Sequence, residues 1–341
     1  MLYTNAEQAA PAIAACVKNK RHILLITHVN PDGDAVGSLL GLGLYWEQCG
    51  YEVTMLAPTP LPIFIQRLRS ADRIKVYSQA PVYSNTLPLP ETVDLVVLVD
   101  TGDVQRIARI YQEQQAYLAA RPLIIIDHHA TNSGEGLINL VDPSRSSNCE
   151  LLYELLKAWA AQITPEIATA LLMGITTDTQ SFKTSNTTPS ALRAAADLVE
   201  AGADRALIMR DVYSNIPFET AKLLSLALSE LKREGAIAWT HVTQVMQRSV
   251  GASDDAAAEV TDYIANLGGL KATALFKERR DGSVKVSLRS VPGIDVAAVA
   301  QRFGGGGHRQ AAGATLQGPL VEAEQQLLAV LKAAVEEAPD A

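Results

Sequence analysis

Residues 26–38, Ile-Thr-His-Val-Asn-Pro-Asp-Gly-Asp-Ala-Val-Gly-Ser, place the imidazole of His28 beside the carboxylates of Asp32 and Asp34. Acids and an imidazole crowded at one point desolvate and repel one another unless a cation lies among them, and a metal ion is the cation that suits. Taken alone, a polar turn in which Asp34 or Ser38 caps the following helix also explains the segment. Three further segments argue for chemistry. The apolar run from Asp94 ends at Asp100 and continues as Thr101-Gly102-Asp103. The run from Pro122 ends at Asp127 and is followed by His128 and His129. A helical stretch, 165–177, delivers Asp178. Of the six histidines, four fall in motif segments (His28, His128, His129 and His308), while His22 and His241 read as strand-edge residues.

Imidazole and carboxylate donors without cysteine exclude a structural zinc site of the thiolate type. Such a set favours Mn²⁺, leaves Fe²⁺, Co²⁺ and Zn²⁺ open, and suits Mg²⁺ alone less well. Two histidines and four aspartates are too many ligands for one small cation that keeps open positions. They suit two ions about 3.5–4 Å apart that share a carboxylate, a pair that activates water and clamps the attacking and leaving oxygens of a phosphoryl displacement. Spacing leaves open which of His128 and His129 ligates, because neighbouring strand residues face opposite ways and only one would reach the metal.

The elements that must position these residues follow from hydropathy. Continuous apolar runs at 22–27, 51–57, 94–100 and 122–127, separated by helical stretches, predict a parallel sheet covered on both faces. In such sheets the ligand crevice lies outside the carboxyl ends of the strands. Three strands delivering acids or imidazoles there build one site. The reading continues with helices at 34–49, at 149–160 (capped by Ser147 or Asn148) and from Thr188-Pro189 to Gly202, and a proline-rich loop at 80–92.

From residue 235 a second unit begins: strand 236–242, helix 254–266, strand 271–279, a tight turn at Asp281-Gly282 into strand 284–290, helix 294–302, a glycine-rich loop, strand 311–317 and an amphipathic helix 319–336. Gly304, Gly305, Gly306 and Gly307 could bring several N–H groups onto an anion as a nest, although a flexible surface loop explains a glycine run as well. His308 and Arg309 add donors, and Arg289 offers a guanidinium fork suited to phosphate.

The ordered motifs resemble the DHH phosphoesterase superfamily: His28-x-x-Pro-Asp32-x-Asp34-Ala-x-Gly37-Ser38, Asp100, Asp127-His128-His129 and Asp178, then Gly304 to Gly313, which is similar to the signature of the companion DHHA1 domain. Together they span residues 28–313 of 341. The resemblance implies that His28 and Asp32 hold one metal, that Asp34, His128 and Asp178 hold the other, and that Asp100 bridges. It implies that His129 faces the scissile phosphate and that Asp127 orients the imidazoles. It further implies an active site in the inter-domain cleft, with Arg289, Gly305, Gly306, Gly307, His308 and Arg309 on the substrate's far phosphate or base. Related proteins tend to carry small Ser or Thr near residues 146–149, so Asn148-Cys149 is a departure, and helix capping is the role expected of Asn148.

Composition sets outer limits. With 341 residues, 48% of them hydrophobic, two domains are expected. We divide the chain into a metal-binding domain (1–202), a helical connector (203–232) that could equally belong to the first core, and a smaller α/β domain (233–341). No run suits a membrane span and the first residues lack the order of a signal peptide. Cys16, Cys49 and Cys149 read as buried free thiols, which points to the cytoplasm. A net charge of −8 leaves no stripe for a long duplex or other long nucleic acid and favours short oligonucleotides or mononucleotides.

The sequence therefore reads as a two-domain α/β phosphodiesterase with two divalent ions, most suitably Mn²⁺. It resembles bacterial enzymes that degrade short oligoribonucleotides and dephosphorylate 3′-phosphoadenosine 5′-phosphate (pAp). A manganese-dependent inorganic pyrophosphatase, a cyclic-di-AMP phosphodiesterase and a nucleotide sensor with a dead site are the alternatives. The Ala-rich helices of 149–231 fit a homodimer as well as a monomer core.

Overall fold

The computed structural model describes residues 1–62, 65, 68–77, 89–132, 134–213 and 216–337. It divides into two compact units, Met1–Asn215 and Ile216–Ala341. The proline-rich loop expected at 80–92 lies outside the described residues up to 88, as does the side chain of His308.

The elements of the first unit are β1 (Leu2–Tyr3), α1 (Ala6–Val17), β2 (His22–Ile26), α2 (Gly33–Gln48), β3 (Glu52–Ala57), β4 (Ile74–Val76), β5 (Leu95–Val99), α3 (Arg109–Glu113), α4 (Gln115–Ala119), β6 (Leu123–Asp127), β7 (Ile138–Val141), α5 (Asn148–Ala158), α6 (Pro165–Asp178), α7 (Pro189–Glu200) and α8 (Arg205–Ile208). The sheet runs β1-β7-β6-β5-β2-β3-β4, and every pairing is parallel. β2 and β5 are buried along their whole lengths, as continuous apolar strands covered on both faces must be. The short strands β1, β4 and β7 and the helix α1 were not expected. The strands, of two to four residues each, carry too little periodicity to be read.

This order has a switch point. From β2 the chain builds outward through β3 and β4, and from β5 it builds the other way through β6 and β7. The crevice of such a sheet opens between the two central strands at their carboxyl ends. Two helices are pressed together over that region. α2 is buried almost all round, and α6 lies against it because glycines replace side chains at the contact. A Cβ on Gly37 would sit 2.5 Å from the Ala170 carbonyl and 2.8 Å from Cys149 Sγ. One on Gly174 would collide with Cys149 Sγ and lie 2.6 Å from Asp34 Oδ1.

Four local expectations are corrected here. Asp32, not Asp34 or Ser38, caps α2: its Oδ1 accepts from the Asp34 and Ala35 N–H groups at 3.0 Å each. Ser147 caps α5, accepting from Glu150 N–H at 3.0 Å, and Asn148 is the first helical residue. Of the three cysteines, all free, only Cys149 is buried; Cys49 is exposed because it ends α2 at the surface. His22 is a core residue whose ring nitrogens meet Thr92 and Thr54 hydroxyls at 2.7 and 2.9 Å.

The second unit contains α9 (Phe218–Ser229), β8 (Lys232–Glu234), β9 (Ile237–Val242), α10 (Gln244–Val250), α11 (Ala257–Ala265), β10 (Ala272–Glu278), β11 (Val284–Ser290), α12 (Val296–Gln301), β12 (Gly306–His308), β13 (Ala311–Leu316) and α13 (Leu320–Glu336). Its sheet runs β12-β13-β11-β10-β9-β8, antiparallel except for β9 with β10. Ala297, Leu327 and Leu331 of α12 and α13 pack with Phe276 and Val286. Leu223 and Ala227 of α9 pack with Val260 and Ile264 of α11 and with Leu275. In the stretch 203–232, Ile208 joins the first unit's core whereas α9 belongs to the second. Among the described residues no helix is long and apolar enough to cross a membrane.

The glycine contacts generate a prediction. Gly174→Ala should cost about 1–3 kcal/mol in urea unfolding, because a rigid neighbourhood must move. Gly41→Ala meets only the end of the Leu171 side chain and should cost less. Equal losses in the two variants would show that the α2–α6 contact is more yielding than this packing implies.

Candidate metal centre

Each acid or imidazole of the centre enters from the carboxyl end of a strand or from a helix terminus. His28 follows β2, and its Nδ1 lies 2.8 Å from the Val29 carbonyl, so Nε2 is the nitrogen left for a ligand. Asp32 caps α2 through one oxygen, while its other oxygen lies 4.0 Å from His28 Nε2. Capping and ligation are therefore compatible in one side chain. Asp34 sits in the first turn of α2 and is buried. Asp100 follows β5, His128 and His129 follow β6, and Asp178 closes α6.

Asp100 is the centre of the group. Its Oδ2 is 3.5 Å from His28 Nε2 and its Oδ1 is 3.5 Å from His128 Nε2. His128 Nε2 also lies 3.7 Å from Asp34 Oδ2 and 3.4 Å from Asp178 Oδ2. Two triads result, His28–Asp32–Asp100 and Asp34–His128–Asp178, with ligand atoms within 4.8 Å of one another. Asp100 with His128 and His129 forms a third.

The residues fit divalent cations. A cation about 2.1 Å from each donor holds neighbouring ligand atoms about 3 Å apart and opposing ones about 4 Å apart. Separations of 3.4 to 4.0 Å fall in that range and are long for direct hydrogen bonds. Asp100 Oδ1 is buried without a hydrogen-bond partner among the described residues. A buried carboxylate oxygen in that state calls for a cation.

Charge balance points the same way. Burial first, then the nearby Asp100 and Asp32 charges, push Asp34 up to about 7 against the pull of His128. Burial and Asp34 push Asp178 up to about 9. Burial would lower His128, but the facing Asp100 carboxylate and the charges of Asp34 and Asp178 outweigh it and raise it to about 10. For Asp100 burial acts upward, yet the two imidazoles hold it well below the usual carboxylate range.

His129 and Asp127 form a separate arm. His129 Nδ1 is 2.8 Å from Asp127 Oδ1, and that same oxygen accepts from the His128 backbone N–H at 2.9 Å. Asp127 thus orients one imidazole ring, His129, whereas the His128 ring has Nδ1 3.4 Å from the Arg145 carbonyl. Strand alternation does not separate the two histidines, because β6 ends at Asp127. Their rings meet edge to face at 4.5 Å, and His129 Nδ1 also lies 3.6 Å from Asp100 Oδ1. Sequence reasoning missed Asn132, whose amide donates to Asp127 Oδ2 at 2.8 Å and to the Thr101 carbonyl at 3.0 Å. It also missed the seat of Asp34: the N–H groups of Asn148 and Cys149, opening α5, donate to its two oxygens at 2.6 and 2.9 Å. No local signal marks that contact, since 114 residues separate Asn148 from Asp34.

In the second unit the glycine segment is an edge strand, not an open loop. The N–H groups of Gly304 and Gly305 donate back to Gln301 and Ala300 carbonyls, and Gly306–His308 pair with β13. A four-glycine nest is therefore not formed, because Gly304 and Gly305 give their N–H groups to the end of α12 while Gly306 and Gly307 pair with β13 along one edge. Gly305 must be glycine there, since a Cβ would strike the Gly313 carbonyl. Register sets His308, Ala311 and Arg289 in one row across β12, β13 and β11. The Arg289 guanidinium lies 3.7 Å from Asp262, and Arg309, largely exposed, lies 3.3 Å from Asp295.

Comparison with known proteins matches residues 22–175 to the DHH family, N-terminal domain, and residues 241–337 to the DHHA1 domain. The bifunctional oligoribonuclease and PAP phosphatase NrnA of Thermus thermophilus is 34% identical over 319 residues, covering 92% of this chain and 90% of that protein. The cyclic-di-AMP phosphodiesterase GdpP of Geobacillus thermodenitrificans is 28% identical, covering 93% of this chain and 48% of that protein. A crystal structure of an exopolyphosphatase-related protein from Bacteroides fragilis shares the fold, with a TM-score of 0.86 at 23% identity over 97% of this chain and 96% of that one.

Protons held by Asp34, Asp178 and His128 must leave when a cation arrives. Because these groups titrate above their ordinary values, metal-stripped protein binds protons in competition with the cation at neutral pH. Divalent-ion affinity should therefore rise as pH increases from about 6 to about 9. Calorimetry in buffers of different ionisation enthalpy should register proton release. A pH-independent affinity without release would contradict this account of the centre.

Proposed function

The chain belongs to the DHH family of phosphoesterases, and from that premise we propose that it hydrolyses short oligoribonucleotides such as pApA to mononucleotides, and pAp to AMP. The observation that carries the reading is Asp100, whose two oxygens each face a different imidazole Nε2 at 3.5 Å, the disposition of a carboxylate that bridges two cations. We assign His28, Asp32 and Asp100 to one ion and Asp34, His128, Asp178 and Asp100 to the other. These residues would hold two divalent ions, Mn²⁺ by preference of the donor set, which would supply water activation and charge neutralisation at the scissile phosphoryl group.

The chain's own residues do the rest. His129, with Nδ1 held by Asp127, presents Nε2 to a phosphoryl oxygen and stabilises charge as the bond to the leaving ribose oxygen breaks. Asn132 keeps Asp127 in place, so ring orientation is set before substrate arrives. In the second unit, Arg289 and the row through His308, with Gly306, Gly307 and Arg309 beside it, bind the terminal phosphate or base of the substrate, and Gly305 lets the strand edge close against β13. A grip on the chain end favours short substrates over long ones, and the net charge of −8 supports the same preference. Pyrophosphate is disfavoured because the glycine segment and its neighbours bring Arg289 and Arg309 where a fully charged diphosphate calls for more lysines and arginines. The free cysteines suit a reducing, cytoplasmic setting.

Purified protein with Mn²⁺ should release AMP from pApA, followed by chromatography. Asp100→Asn should lower kcat by at least about a hundredfold. Arg289→Ala should raise KM by about tenfold or more with kcat nearly unchanged, since a charge-assisted contact is lost. Turnover of cyclic-di-AMP or pyrophosphate with no activity on pApA would replace this reading with one of those activities.

A further inference from the structure

We propose that Asn148 is a positioning residue that sets the separation of Asp34 and Asp100. The inference rests on the reading of those two acids as metal ligands. Asn148 is fully buried at the start of α5. Its backbone N–H donates to Asp34 Oδ2 at 2.6 Å. Turned so that its oxygen faces two donors, its amide accepts from Ser38 Oγ at 2.9 Å and from the Asp100 N–H at 3.2 Å, and donates to the Ile126 carbonyl at 3.1 Å. One residue thus touches α2 through Ser38 and Asp34, the end of β5 through Asp100, and the end of β6 through Ile126.

The Asp100 backbone needs such a hold. Its φ is +53°, the left-handed region that a non-glycine residue occupies at a cost. The same N–H also donates to Ile126 at 3.0 Å, so the Asn148 oxygen completes a shared bond that keeps the turn closed. Ser147 already caps the helix, so Asn148 is free of that duty. An amide is the side chain that fits, because the position requires an acceptor for two donors and a donor for one carbonyl. A shorter hydroxyl cannot reach all three.

Metal-stripped protein is titrated calorimetrically with Mn²⁺, with thermal unfolding measured in parallel, for wild type, Asn148→Ala, Asn148→Ser and Leu152→Ala. Leu152 is buried in the same helix and reports loss of packing alone. Asn148→Ala should weaken Mn²⁺ binding by about ten- to a hundredfold, Asn148→Ser by less, and Leu152→Ala hardly at all even where its Tm falls further. On pApA, Asn148→Ala should lower kcat and leave KM near wild type. Should Asn148→Ala fail to fold, the ordering of Asn148→Ser against Leu152→Ala decides. If the Asn148 variants lose no more Mn²⁺ affinity than Leu152→Ala while wild type binds and turns over, the positioning role is overturned and the functional reading stands. If wild type binds no Mn²⁺, both fall.

Discussion

Asp34 and Asp100 are both buried where the centre of a parallel sheet meets a helix N-terminus. Two desolvated carboxylates so close together are stable only when positive charge and hydrogen-bond donors surround them. The first unit supplies imidazoles from His28 and His128, backbone N–H groups from Asn148 and Cys149, and donor separations that suit cations. What remains unsatisfied is Asp100 Oδ1, and that residual demand is the chemical capacity of the centre. The raised titration of Asp34 and Asp178, caused by burial and neighbouring carboxylates, is its counterpart, since protons and cations compete for these acids.

The scaffold is arranged to sustain that concentration of charge. The switch in strand order brings β2 and β5 side by side, so that His28 and Asp100 leave adjacent strand ends. Glycines at 37 and 174 allow α2 and α6 to approach until Asp34 and Asp178 address the same imidazole. The helix α5 then directs its first N–H groups at Asp34, where its dipole favours the anionic form. Packing and electrostatics are coupled here, since a Cβ at Gly174 would press on both Cys149 and the Asp34 carboxylate.

The second unit solves a different problem by strand pairing. Its glycine segment is narrow enough to pair as an edge strand against β13, and the resulting register, not proximity in sequence, sets Arg289 in the row of His308. Nineteen positions separate these residues in the chain. Antiparallel pairing across two strands removes most of that distance.

Much of the fold and of the centre was legible in the amino-acid sequence. The residue types of the candidate centre, their order, the four long strands and the helices from 33 to 48 and 165 to 178 follow from apolar runs and from chemistry that acts over a few residues. A strand's burial and a metal's preference for imidazole and carboxylate are local properties, and sequence alone determined them. Other features lay beyond local rules: the cap on Asp32, the pairing of Gly306–His308, the exposure of Cys49, and the seat of Asp34 on Asn148 and Cys149. Asn148 lies far from Asp34 along the chain, and its amide acts only when α2, β5 and β6 converge on it. Hydrogen bonds discriminate tenths of an ångström, whereas the hydrophobic pattern that folds the chain is indifferent to such shifts. For that reason the identity of the site was written in residue types, while its geometry was decided by tertiary packing.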